Sequence, residues 1–148
     1  MNRSVLKFGG SSVSDFTKIK NIAGMLKNRV EQGEQLIVVV SAMGKTTDQL
    51  MENVSTLTST PKEQELALLL TTGEQQTVSY LSMVLNDIGI SAKAMTGYQA
   101  GIKTIGHHLK SKIAEIDPST FETAFNKYDV LVIAGFQGIN EDLSLIHI

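Results

Sequence analysis

The sequence predicts an α/β fold, a three-layer αβα sandwich built on a mainly parallel sheet. Three observations predict it. Strand-like and helix-like segments alternate along the chain, which favours parallel strands joined by crossover helices. Leu36 to Val40 and Val130 to Ala134 are unbroken apolar runs, the pattern of strands covered on both faces. Val5-Leu6-Lys7-Phe8 ends at Gly9-Gly10 and leads into an amphipathic stretch, so the opening reads as a βαβ unit. At 148 residues the chain fits one domain.

Taken in order, Val5 to Phe8 is a short buried strand closed by the two glycines. From Asp15 to Val30 the apolar residues Phe16, Ile19, Ala23, Leu26 and Val30 fall at steps of three and four, making one helix face. Ser14 or Asp15 is placed to cap it, and Gly33 suits its exit. After the strand Leu36 to Val40 comes a loop, Ala42 to Asp48, in which Thr46, Thr47 or Asp48 serves as N-cap of the next helix. Gln49 to Leu57 and Glu63 to Leu70 read as helices separated by Thr58 to Pro61. Thr71-Thr72-Gly73-Glu74 reads as an interruption, with helix resuming from Gln75 to Asp87 and Gly89 closing it. Ile90 to Thr96 reads as a strand, Gly97 to Gly106 as a Gly-rich connection and Lys112 to Ile116 as a short strand. Pro118 suits the first turn of a helix running to about Asn126. The strand Val130 to Ala134 ends at Gly135. Residues 143–148 show no helix or strand pattern and read as a non-native, read-through tail, which leaves 1–142 as the structured part.

Composition narrows the function. Lys+Arg 13 against Asp+Glu 15 gives a net charge of −2, which offers no electrostatic footprint for nucleic acid or an anionic membrane. No apolar run approaches the ~20 residues of a membrane helix, and Met1 to Ser4 leads into a strand rather than a signal peptide. The absence of Cys excludes disulfides, thiolate metal sites and thiol nucleophiles, and fits a reducing cytoplasm. With hydrophobic residues at 42% but aromatics at 5%, the core is expected to be aliphatic.

A few residues carry chemistry. Lys7 lies within an apolar strand, where an ammonium is costly unless it reaches water or an anion. The adjoining Gly9-Gly10-Ser11-Ser12 turn opens a helix, and glycines let the backbone approach a ligand closely. This layout suits phosphate, although a βα turn beside a snorkelling Lys has the same pattern. Gly44-Lys45-Thr46 is not a phosphate loop of the Walker type, because Val39 stands where such a loop requires its first Gly. No GxGxxG fingerprint is present, which leaves a dinucleotide reading without support. The loop after the second strand carries Ser41, Thr46 and Thr47 at the strand's carboxyl end, where open α/β sheets bind ligands. Glu74 beside Gly73 either complements a helix dipole or offers a carboxylate to a substrate amine. His107 and His108 are adjacent, share no face, and read as loop residues rather than metal ligands.

Lys7-Phe8-Gly9-Gly10-Ser11-Ser12-Val13 resembles the N-terminal signature of the aspartokinases, within the amino-acid kinase family. The likeness continues in order. Val39 to Asp48 resembles that family's second-strand loop, and Thr72-Gly73-Glu74-Gln75 its Gly-Glu segment. Gly97 to Ile102 is similar to its Gly-aromatic-Gln-Ala-Gly-Ile loop. Ala134-Gly135-Phe136-Gln137-Gly138 is similar to the strand and turn before the nucleotide half. Together these cover residues 3 to 142.

The resemblance implies an amino-acid kinase-like fold and ATP-dependent phosphorylation of the side-chain carboxylate of L-aspartate. The product is 4-phospho-L-aspartate, at the entry to lysine, threonine, methionine and diaminopimelate biosynthesis. A carboxylate with an ordinary pKa of about 3.9 is already ionised at pH 7, so the reaction needs positioning and charge neutralisation rather than a general base. By the same resemblance, Lys7 neutralises phosphate charge, and Gly9, Gly10 and Ser11 lay backbone N–H groups along the phosphoryl group. Thr47 hydrogen-bonds the aspartate with Ser41 nearby, and Glu74 receives its α-ammonium. Mg²⁺ bridges the ATP phosphates, and the whole protein is expected to be a cytoplasmic homo-oligomer. Beyond Asp142 the family continues into a segment bearing an Arg and an Asp for the reaction centre, then an adenine pocket and regulatory domains. The sequence is therefore expected to be the N-terminal, acceptor-side part of a catalytic domain, incomplete at the C-terminus and inactive alone. Missing strands are expected to leave an apolar edge at Val130 to Ala134. Two further readings stand beside this one: a non-catalytic phosphate- or nucleotide-binding module, and an interaction fragment using that exposed edge.

Overall fold

The computed structural model describes residues 1–148. The first strand, β1 (Asn2–Phe8), is followed by a single 3₁₀ turn at Gly10–Val13 and by α1 (Phe16–Glu31). Asp15 caps that helix, its carboxylate accepting from the Lys18 N–H at 2.8 Å. Gly33 makes the exit with φ +90°, a left-handed conformation that favours glycine. Then come β2 (Glu34–Val40), α2 (Thr46–Leu57), α3 (Glu63–Asp87) and β3 (Ala92–Met95). A hairpin, β4 (Ile102–His107) and β5 (Lys110–Ile116), precedes α4 (Pro118–Phe125) and β6 (Val130–Ala134). Two short strands, β7 (Gln137–Ile139) and β8 (Leu145–His147), complete the order.

One sheet runs β1-β2-β6-β3 and is wholly parallel. Its strands are in register, so Phe8, Val40 and Ala134 end side by side. Alternation along β2 sends Leu36, Val38 and Val40 to one face and Ile37 and Val39 to the other. The first face packs on α1 and α3 through Ile19, Leu26, Leu81 and Leu85, all fully buried. The second packs on α4 through Phe121 and Phe125. This is the three-layer αβα arrangement expected, with an aliphatic main core. A second sheet, β5-β4-β7-β8, stands beside it.

Several expectations need correction, among them the buried first strand: β1 is a sheet edge on which Val5 is 70% exposed. First, α3 is one unbroken helix of 25 residues, so Glu74 sits in its middle rather than at a helix start. The Thr71 and Thr72 hydroxyls donate to Leu68 and Leu69 carbonyls within the helix, and Gly73 lets α3 pass close to Ala42. Second, α2 has Lys45 at its N-cap, and the Thr46 hydroxyl bonds the Met43 carbonyl at 2.6 Å instead of capping. Third, the Gly97 to Gly106 segment is a connection only as far as Gly101, after which β4 begins. Fourth, Val130 to Ala134 is no exposed edge: β6 lies between β2 and β3 and all five residues are buried. The sheet edges are β1 and β3. In addition, residues 143–148, expected to have neither helix nor strand, contain β8, which pairs antiparallel with β7 and buries Ile146 completely.

A polar clamp ties the end of α1 to the sheet. Arg29 donates from Nε and Nη2 to the two Glu34 carboxylate oxygens at 2.9 and 2.7 Å, and Ser4 Oγ donates to Glu34 at 2.7 Å. Hydrogen bonds from Arg29 and then Ser4 lower the Glu34 pKa from 4.5 to about 2. A lowered folded-state pKa means that the clamp stabilises fully above the unfolded value and is lost as pH falls from 4.5 towards 2. Glu34→Gln is therefore expected to lower the urea midpoint at pH 6, with the gap to wild type closing near pH 2. A gap that persists unchanged at pH 2 contradicts this. The clamp reaches solvent, so the effect is modest.

Candidate active site

The loops at the carboxyl ends of the parallel strands converge, and glycines mark how closely. A Cβ on Gly10 would stand 3.1 Å from the Ala42 carbonyl oxygen, bringing the β1 turn against the β2 loop. The Gly44 N–H donates to the Gly10 carbonyl at 3.0 Å. A Cβ on Gly73 would stand 2.9 Å from Ala42 Cβ, bringing α3 against the same loop. The Gly135 N–H donates to Val40 O at 2.9 Å, and a Cβ on Gly97 would lie 2.4 Å from Gln137 O. All five segments singled out in the sequence thus meet at one end of the sheet.

Lys7 is exposed on β1, on the α4 side of the sheet, with Nζ 5.0 Å from the centre of the Phe136 ring. Gly9 has open space where a Cβ would be, consistent with access to its backbone. Ser11 is exposed, and its carbonyl accepts from Lys18 Nζ at 2.9 Å. Lys18 also reaches Ser14 Oγ at 2.9 Å, a tether on the turn that no motif announces. Ser41 is buried, with its N–H bound to Phe8 O at 3.1 Å. Thr47 is half-buried in the first turn of α2.

Glu74 is 1% exposed. Its Oε1 lies 3.3 Å from His147 Nε2, and its Oε2 has no hydrogen-bond partner. A buried carboxylate left half-satisfied is costly, and such groups in folded proteins are usually paired. The structure does not bring Lys7 into contact with Glu74. Between them stand Phe136, which approaches Lys7, and His147, whose ring stacks on Phe136 at 6.3 Å. Phe136 has φ +56°, a strained backbone for a non-glycine residue, held between β6 and β7. Gln137 is buried and double-ended: its Nε2 donates to Thr71 O at 3.1 Å, and its Oε1 accepts from the Gly97 N–H at 3.3 Å. Sequence reasoning misses the parts played by Phe136, Gln137, Lys18 and His147. Only Gln137 carries a local signal, as a polar residue directly after an apolar strand and Gly turn.

No group of three His, Asp or Glu side chains converges as a metal cage. A Mg²⁺ ion carried by phosphates takes few protein ligands and needs no such cage. No helix is long and apolar enough to cross a membrane.

A wholly parallel sheet covered by helices on both faces, with the loops at its carboxyl ends drawn together, defines an α/β domain of the open-sheet class. The chain belongs to the amino acid kinase family, whose model matches residues 2–147. It is 42% identical over 145 residues to aspartokinase 2 of Bacillus subtilis (strain 168), covering 98% of this chain and 36% of the relative. It is 39% identical over 137 residues to an aspartokinase of Geobacillus stearothermophilus, covering 93% of this chain and 34% of the relative. Among solved structures it is similar to aspartate kinase from Synechocystis, with TM-score 0.78 and 35% identity over 99% of this chain and 24% of that one. The fold also matches E. coli aspartokinase III in complex with aspartate and ADP, at TM-score 0.76 and 15% identity over 99% of this chain and 43% of that one. The chain spans about a third of the length of the curated relatives it matches.

Proposed function

We propose that this chain is the acceptor-side part, residues 1–142, of an ATP-dependent kinase that phosphorylates the side-chain carboxylate of L-aspartate. The observation that carries the reading is Glu74, a buried carboxylate with a free oxygen, at the end of the sheet where the Lys7–Gly10 turn lies. A plain phosphate cradle has no use for such a group; an amino-acid acceptor does, because its α-ammonium needs a counter-charge. In the reaction a side-chain carboxylate oxygen attacks the γ-phosphorus of ATP, the bond to the β,γ-bridging oxygen breaks, and ADP leaves. Both reactants are anions, so the protein's task is to hold them in line and offset their repulsion. Lys7, exposed and free of any ion pair, is the cation for the phosphoryl oxygens. The backbone N–H groups of Gly9, Gly10 and Ser11 donate to the same oxygens. The hydroxyls of Thr47 and Ser41 orient the aspartate, and Glu74 holds its ammonium. Mg²⁺ bound with ATP would supply further charge neutralisation.

The relatives are much longer than this chain, and turnover is assigned to a polypeptide of their length. The purified chain is expected to bind L-aspartate in isothermal calorimetry. With aspartate and Mg-ATP it is expected to give no aspartate-dependent ADP in a coupled assay. Absence of aspartate binding overturns the substrate assignment; aspartate-dependent ADP release overturns the inactivity of the isolated chain.

A further inference from the structure

At the β3 edge of the parallel sheet stands a lysine that strand packing does not explain. The register lines up Val5, Ile37, Leu131 and Lys93 across β1, β2, β6 and β3, all on the α4 side. The first three are apolar, as a face packed on a helix requires. The fourth is a half-buried lysine whose Nζ lies 5.7 Å from the centre of the Tyr128 ring. Lysines on edge strands often serve only to block pairing with another sheet. Lys93 instead lines a cleft of about 420 Å³ between β3, the turn after it and α4. From the α4 side come Ser119, Thr123 and Lys127, which step by four residues and so share one side of the helix and the turn continuing it. Gln99 enters from the turn after β3. Its Oε1 is taken by the Thr96 N–H at 3.0 Å, which leaves its NH₂ group to donate. Neither Lys93 nor Lys127 is in an ion pair; the lysines that are, Lys27 and Lys103, lie elsewhere on α1 and β4. On other helices the Ser and Thr hydroxyls are commonly spent on backbone carbonyls, as at Thr56, Thr71 and Ser79. Those of Ser119, Thr120 and Thr123 are not. No carboxylate lines the cleft: Asp117, the nearest in sequence, accepts from the Ser119 N–H at 2.9 Å and lies outside it.

We propose that this cleft binds a small phosphate monoester, at a site separate from the one at the carboxyl ends of β1 and β2. Two ammonium groups match the charge of such an ester, about −1.5 to −2 at pH 7. Each lysine brings three N–H donors, and the hydroxyls and the Gln99 amide add more. A phosphate group takes donors only, which is what this cleft offers. The same count excludes other ligand classes. An amino acid or other zwitterion needs an anionic partner for its ammonium, and no carboxylate lines the cleft. A nucleic acid needs many phosphate contacts along a surface, whereas this chain has a net charge of −2 and a single pair of lysines here. The cleft also has an apolar wall for a short organic group, made by Met95 and Ala124, both buried, and by the Tyr128 ring. It lies at β3, with β2 and β6 between it and Lys7 on β1, so it does not depend on the aspartate reading.

The test uses the whole chain with glycerol 3-phosphate as the probe, followed by the amide resonances of Lys93, Thr120 and Thr123. These are expected to shift saturably, with half-saturation at about 1 mM or below. Lys93→Gln and Lys127→Gln are each expected to weaken binding about tenfold, the scale of one hydrogen bond to a charged group. Lys127 is exposed and outside the sheet, so its variant tests the site without disturbing the strands. Lys7→Ala, at the opposite edge, is expected to leave these shifts unchanged. Glycerol is expected to shift nothing, and inorganic phosphate and succinate to bind more weakly than the ester. Absence of saturable shifts at the three amides up to about 10 mM overturns the proposal, as does unchanged affinity in a folded Lys127→Gln protein. Inorganic phosphate binding as tightly as the ester shows an adventitious ion only and overturns the ester assignment. Succinate binding as tightly overturns the choice of phosphate. Loss of the shifts in Lys7→Ala assigns the ester to the Lys7 turn and overturns the second site.

Discussion

Glu74→Gln is expected to weaken L-aspartate binding by roughly a hundredfold while leaving the melting temperature at or above that of wild type. The two halves of this expectation have one cause. In the folded chain the Glu74 carboxylate is buried in the middle of α3 with one oxygen facing His147 and the other facing nothing. Burying a charge so incompletely paired costs stability, and a neutral amide of the same shape relieves that cost. The amide keeps a carbonyl oxygen for His147. It has no negative charge for an incoming ammonium, and its NH₂ group meets that ammonium donor to donor. Calorimetry with L-aspartate and a thermal melt on the same preparations check both halves. If Glu74 is only a structural residue, the variant melts well below wild type and the binding loss follows from unfolding. Retained aspartate affinity in a well-folded variant removes Glu74 from the site.

The parts of this fold that are legible in the sequence are those fixed by local pattern. The runs Leu36 to Val40 and Val130 to Ala134 announce strands because covering both faces of a strand demands consecutive apolar residues. The three- and four-residue spacing from Phe16 to Val30 announces α1 because only a helix puts those residues on one side. Where partners distant in the chain decide, local pattern misleads. Thr71-Thr72-Gly73 reads as a break because Thr and Gly are poor helix formers, yet α3 needs a glycine there to pass Ala42. The strands β7 and β8 are three residues each, too short to show alternation, and exist through pairing with each other and with β4. Val130 to Ala134 reads as an edge when strands are taken to be missing, although its continuous apolar run argues for an interior strand. The neighbours of a strand depend on chain order in space, which composition does not encode.

The site divides in the same way. Lys7, Gly9, Gly10, Ser11, Ser41, Thr47 and Glu74 stand in segments with recognisable local character, and the fold draws those segments to one end of the sheet. The Phe136–His147–Glu74 succession joins the end of β6, β8 and α3, with His147 and Glu74 separated by 73 positions in the chain. No spacing rule reaches that far. Its only forewarning is negative: a buried carboxylate needs a partner, and that requirement does not name one.

Gly97→Ala is expected to cost about 3 kcal/mol of stability, the upper end of the usual penalty for overpacking, and to lower the melting temperature by roughly 6–12 °C for a chain of this size. The penalty is steric. Gly97 has no positive φ, so its backbone conformation suits alanine; what it lacks is room. The added Cβ would lie 2.4 Å from the Gln137 carbonyl oxygen and 2.7 Å from its carbon. Both are backbone atoms of β7, which is paired with β4 and with β8 and cannot swing aside like a side-chain tip. Relief requires moving β7 bodily. That strains the Gln137 bridges to Thr71 and Gly97, and it shifts the adjoining Phe136 and the paired His147. The damage should therefore reach the site, with aspartate affinity falling alongside stability. Gly24→Ala is the matched control, because a Cβ there meets nothing within 4 Å inside α1. Replacing a mid-helix glycine by alanine is expected to raise stability by about 0.5–1 kcal/mol. Urea unfolding of the two variants should move in opposite directions. A Gly97→Ala protein as stable as wild type would show that β7 is not held against the β3 turn, and the convergence of segments that builds the site would lose its central contact.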